Sequence, residues 1–130
     1  MIVGLYFCLS CLLVLALSFN VVKQRRIGRV AFGDGGYKPL IWARAGHSNA
    51  LENIPIALLL LAMLELNHSP AWFIHALGCA FLMARLIHAK SILRGRCKGR
   101  AISMQITYAV LSILIIANLI VLPYKEIFSL

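Results

Sequence analysis

The chain has 130 residues, 62% of them apolar, and a mean hydropathy of +0.88; an ordinary soluble domain is ~45–50% apolar, so a water-soluble globule is excluded. Its formal charge is +9, from 13 Lys or Arg against 4 Asp or Glu. The cations cluster beside apolar runs, which suits anionic membrane lipid as a partner and argues against nucleic acid.

Residues 1–22 carry no charge, and at ~1.5 Å per residue a helix of this length crosses the ~30 Å hydrocarbon core. Lys23, Arg25, Arg26 and Arg29 follow the run, the reverse of the charge order in a cleaved signal peptide. Cys8 and Cys11 have CxxC spacing but no further ligands nearby, and no metal site is expected. Residues 27–41 hold Gly28, Gly33, Asp34, Gly35, Gly36 and Pro39, a density of breakers that reads as a loop.

A second span covers residues 45–66 and opens with His47, Asn49, Glu52 and Asn53. After a short turn, Pro70 suits the first position of a third span, residues 70–90, with Trp72 at its interfacial end. The basic stretch Lys90, Arg94, Arg96, Lys98 and Arg100 precedes a fourth, charge-free span over residues 101–123. The chain therefore reads as a single domain, 1–130: an all-α integral membrane four-helix bundle. Twelve of the 13 cations flank the first and third connections and only Lys125 lies on the other side. The positive-inside rule then predicts both termini outside.

An ionised residue near mid-bilayer costs ~2.5–3.5 kcal/mol on insertion scales, so Glu52 and Arg85 need partners. Asn49, Glu52 and Asn53 share a helix face at i, i+3 and i+4, and Arg85 and His88 share one at i, i+3. Glu52 lies roughly 12 Å, and Arg85 roughly 8 Å, inside the cytoplasmic ends of their helices. The two can meet directly, holding helices together, or through a ligand; the residues by themselves leave both readings open. Pro55 frees a carbonyl in the same region. His75 is expected to pack or to reach Glu65, and Met104 reads as a packing residue.

The run His47-Ser48-Asn49-Ala50-Leu51-Glu52-Asn53-Ile54-Pro55, with Arg85-Leu86-Ile87-His88 and the loop Arg29-Val30-Ala31-Phe32-Gly33-Asp34-Gly35-Gly36, resembles the MAPEG family, the membrane-associated proteins in eicosanoid and glutathione metabolism. The likeness is greatest to its short bacterial inner-membrane branch and covers nearly the whole chain. It implies a homotrimer of four-helix subunits with glutathione as co-substrate, bound between subunits near the cytoplasmic face. By the same resemblance Glu52 receives the glutathione amino group and Asn49 hydrogen-bonds its backbone. Arg85 and His88 line the site, Arg25 reaches its carboxylates, and Arg100 faces the thiolate as the catalytic residue. Two positions depart from the family's pattern: Ala45 stands where an Arg is frequent and Ile92 where a Tyr is.

The leading expectation is thus a multi-pass bacterial inner-membrane protein with glutathione transferase or peroxidase-like activity on lipophilic electrophiles. The alternative is a non-catalytic trimeric scaffold, or lipid- or thiol-binding protein, of the same fold. A small cation exporter is a third four-span class, but its mark would be a Glu in the first helix, which has none.

Overall fold

The computed structural model describes residues 1–124. Four helices follow in chain order: α1 (Val3–Gly28), α2 (Lys38–Leu66), α3 (Ala71–Leu93) and α4 (Cys97–Val121). Each is long and apolar enough to cross a membrane, and there is no strand among the described residues. Lys125, placed on the outer side by the charge count, lies outside the described residues.

The helices outrun the apolar spans. α1 continues through Lys23, Arg25 and Arg26, good helix formers with nothing yet to stop them. α2 begins at Lys38, because Pro39 falls in its first turn, where a missing N–H leaves no bond unmade. The loop expected over residues 27–41 is therefore only residues 29–37. α1 ends at Arg29, which takes the left-handed conformation (φ 53°), its N–H directed at the carbonyls of Arg25 and Arg26. Gly28 serves space instead: a Cβ there would stand 2.6 Å from the Tyr37 ring.

α2 and α3 each pack against all three other helices, whereas α1 and α4 do not meet. The cross-section is thus a rhombus with α2 and α3 on its short diagonal. Lipid is as apolar as these side chains, so close packing and interhelical hydrogen bonds hold the bundle together. In the half away from the basic connections, Leu61, Leu64, Ile74, Phe81 and Leu114 form an apolar core. There the Tyr6 ring fills the space beside Gly78, and a Cβ at Gly78 would stand 2.6 Å from it. Asn118 ties α4 to α2 by donating to the Leu60 carbonyl at 2.9 Å.

At that same end the Glu65 carboxylate accepts hydrogen bonds from the backbone N–H groups of Ile2 and Val3 and lies 3.9 Å from the Met1 ammonium. It thereby closes an α1 N-terminus that has no side-chain cap of its own. Of the two expectations for His75, packing is the one seen: no hydrogen bond joins it to Glu65, its ring meets that of Tyr6 edge-on, and its Nδ1 is 2.9 Å from the Tyr6 hydroxyl.

Candidate functional site

Arg85 lies on the α3 diagonal and is 2% exposed. Its Nη1 donates to Asn49 Oδ1 on α2 at 2.7 Å and its Nη2 to Thr107 Oγ1 on α4 at 2.5 Å. Met104 Sδ is 3.4 Å from Nη2, and the guanidinium carbon stands 5.9 Å from the centre of the Phe81 ring. One cation therefore fastens three helices at a single level of the bundle. The fastening is entirely neutral, since the ion pairs among the described residues join Met1 to Glu65 and Asp34 to Arg44. Arg85 Nε is buried with no hydrogen-bond partner.

The i, i+3, i+4 stripe on α2 divides once packed. Asn49 and Asn53 are half-buried and joined through Asn53 Nδ2 donating to the Asn49 carbonyl at 2.9 Å. Glu52, a further ~60° around the helix from Asn49, is exposed on the outer surface of the bundle and has neither hydrogen bond nor ion pair. The direct Glu52–Arg85 contact left open by the sequence does not form within the chain, because Arg85 turns inward between α2 and α4 while Glu52 faces out.

His88, one turn from Arg85, is 4% exposed and makes no hydrogen bond. Ile92, a further turn along, is packed against Gly46, where a Cβ would stand 3.0 Å from Ile92 Cγ2. Arg100 is exposed and lines a cavity of 220 Å³ with Trp42, Ile92, Gly95, Arg96 and Cys97. It sits about two turns from Thr107, or ~10 Å along α4, towards the mouth of the bundle. Arg25 is not brought to the Arg85 cluster: its Nη1 donates to the carbonyls of Ala31 at 3.3 Å and Gly33 at 3.0 Å. Arg44, the cation nearest the Ala45 position, pairs with Asp34 at 3.7 Å and so braces the same loop.

Thr107 escaped the sequence reading, and Met104, read as a packing residue, also touches the Arg85 guanidinium. The available signal was Ser103 and Thr107 at i, i+4 in a charge-free span, where a hydroxyl usually answers a polar group on another helix. Along the outside, an apolar groove of 470 Å³ follows the α1–α2 seam between Cys11, Leu15, His47, Leu51 and Pro55. It continues into a second stretch of 520 Å³ beside Gly4, Phe7 and Leu59.

Comparison with known proteins agrees with this architecture. Residues 3–120 match the MAPEG family. The chain is 38% identical over 130 residues to the inner membrane protein YecN of Escherichia coli K12, covering 100% of this chain and 99% of the relative. The YecN protein of Escherichia coli O6:H1 strain CFT073 matches with the same identity and coverage.

Proposed function

The chain belongs to the MAPEG family, and from that premise we propose that this multi-pass inner-membrane protein binds glutathione as a co-substrate for transferase or peroxidase-like chemistry on lipophilic electrophiles. The observation that carries the reading is a separation of charge: Arg85 is buried without a carboxylate, while Glu52, one turn from Asn49, is exposed without a cation. A zwitterion with two carboxylates and one ammonium answers both needs, and glutathione is one.

In this reading Glu52 takes the ammonium. Asn49, whose Oδ1 is held by Arg85, keeps its Nδ2 donors for a ligand carbonyl. Arg85 and His88 form the inner wall. Arg25 offers a carboxylate the guanidinium nitrogens that its loop bonds leave over, and Arg100 stands at the mouth, where a guanidinium favours thiolate over thiol. The apolar groove on the α1–α2 seam suits a lipophilic second substrate arriving from the bilayer. Exposure of Glu52 also fits a site completed by a neighbouring subunit in a homotrimer.

Calorimetric titration of the detergent-solubilised protein with glutathione and then an S-alkyl analogue tests the reading. Saturable binding of both is expected, from a protein that native mass spectrometry reports as a trimer. No binding up to millimolar glutathione would overturn the assignment, and monomer alone would remove the intersubunit site. A second reading, binding without turnover, is favoured by Ile92 packed on Gly46 and by Ala45 in place of a cation. Turnover with a lipophilic electrophile or hydroperoxide separates the two.

A further inference from the structure

The end of α1 carries a second concentration of cations, separate from the Arg85 cluster. Arg25, Arg26 and Arg29 line an open depression of 350 Å³ whose remaining wall is Val30 and Ala31. Among the described residues no carboxylate pairs with them: Asp34, the acidic residue of the adjoining loop, is paired with Arg44. Arg26 and Arg29 have no hydrogen bond or ion pair through their side chains. Its height is set by the chain itself. The uncharged run to Val22 fills ~30 Å of hydrocarbon, so the following turns of helix lie ~5–10 Å farther out, in the headgroup layer.

Two features fix the backbone from which these side chains extend. Arg25 bonds the carbonyls of Ala31 and Gly33, which holds the loop against the end of α1. Arg29 occupies the left-handed position that closes the helix, φ 53°, where glycine or asparagine is the unstrained choice. An arginine at a strained backbone position is an outlier that motivates a functional hypothesis for its side chain. Beside it Phe32 is 92% exposed at the loop tip, where an aromatic ring suits the membrane interface.

We infer that Arg26 and Arg29, against the wall braced by Arg25, form a binding site for the phosphate of an anionic glycerophospholipid of the phosphatidylglycerol type. A guanidinium pair with no competing carboxylate matches a phosphodiester in charge and fork geometry. The open side of the depression lets the lipid keep its acyl chains in the bilayer. Arg25 borders this site as well as the one proposed for glutathione, but Arg26 and Arg29 have no part in the glutathione reading and alone carry the test.

The test is lipid-resolved native mass spectrometry together with thermal unfolding of the detergent-solubilised protein, titrated with phosphatidylglycerol or with zwitterionic phosphatidylcholine. The wild type is expected to retain and be stabilised by the anionic lipid selectively. Near a membrane surface each cation is worth roughly a fivefold change in affinity, so the double variant Arg26→Gln/Arg29→Gln should bind ~25-fold more weakly. The charge-matched variant Arg94→Gln/Lys98→Gln should bind as the wild type does. Arg29→Gly, which relieves the helix end, should leave the lipid-free melting temperature unchanged or raised while still losing lipid stabilisation. Equal losses in the two double variants would show diffuse electrostatics and overturn the site. So would full stabilisation by water-soluble glycerol phosphate, or a lipid response preserved in Arg26→Gln/Arg29→Gln.

Discussion

Arg85 and Glu52 sit one turn apart in height yet meet different fates, and each yields a different expectation. Glu52 makes no hydrogen bond or ion pair within its chain, so Glu52→Gln should leave the melting temperature of the monomeric protein unaltered. If it receives the glutathione ammonium, the loss of a charge-assisted contact is worth ~2–5 kcal/mol, at least ~25-fold in affinity. Calorimetry and thermal unfolding on one purified variant decide this, and unchanged affinity would remove Glu52 from the site. Thr107, by contrast, has a structural partner in the Arg85 guanidinium. Hydrogen bonds between membrane helices are worth ~0.6–2 kcal/mol, so Thr107→Val should destabilise by about 1 kcal/mol. A double-mutant cycle with Arg85→Lys should show coupling of similar size, since an ammonium cannot hold Asn49 and Thr107 from one plane. Additive effects would mean the 2.5 Å contact contributes nothing.

At the scale of elements, the α1–α3 seam depends on a single missing methyl. The Tyr6 ring fills the space where a Gly78 side chain would stand, and its hydroxyl lies 2.9 Å from His75 Nδ1 and 3.2 Å from Cys79 Sγ. Tyr6 is 4% exposed and held at both ends, so it has no room to move aside. Gly78→Ala should therefore force α1 and α3 apart and cost about 1–3 kcal/mol, the usual penalty of overpacking. Unfolding of the purified variant in mixed micelles measures this, and Tyr6→Ala in the same background should recover part of the loss. Full stability in Gly78→Ala would mean that the seam has slack that its packing does not show.

For the whole molecule, the distribution of charge relative to the helices governs orientation. Twelve of the 13 cations border the first and third connections, so residues 29–37 are expected in the cytoplasm. A Lys38→Cys variant, made with the native cysteines replaced by serine, should react with an impermeant maleimide only after the inner face is opened. Labelling from outside intact cells would reverse the topology, and with it the cytoplasmic placement of the proposed glutathione site.

Four apolar runs separated by charge and breakers determine four helices, because a chain in hydrocarbon must satisfy its backbone within each segment. That constraint acts locally, which is why the sequence alone yields the number of helices, their order and their approximate limits, and why the motif around Asn49 and Glu52 is visible without coordinates. Helix ends are less legible. Lys and Arg prolong a helix past the membrane, and Gly28 answers a clash with Tyr37 instead of closing the turn. Residue partners are hidden for a stronger reason. Periodicity places Asn49, Glu52 and Asn53 on one side of α2, but that side is wider than any one interface. Only the packing of α2 against α3 and α4 decided that Asn49 meets Arg85 while Glu52 faces outward. Thr107 joined the cluster by the same route: its position opposite Arg85 follows from the angle and rotation at which α4 packs back on α3, which no local pattern encodes.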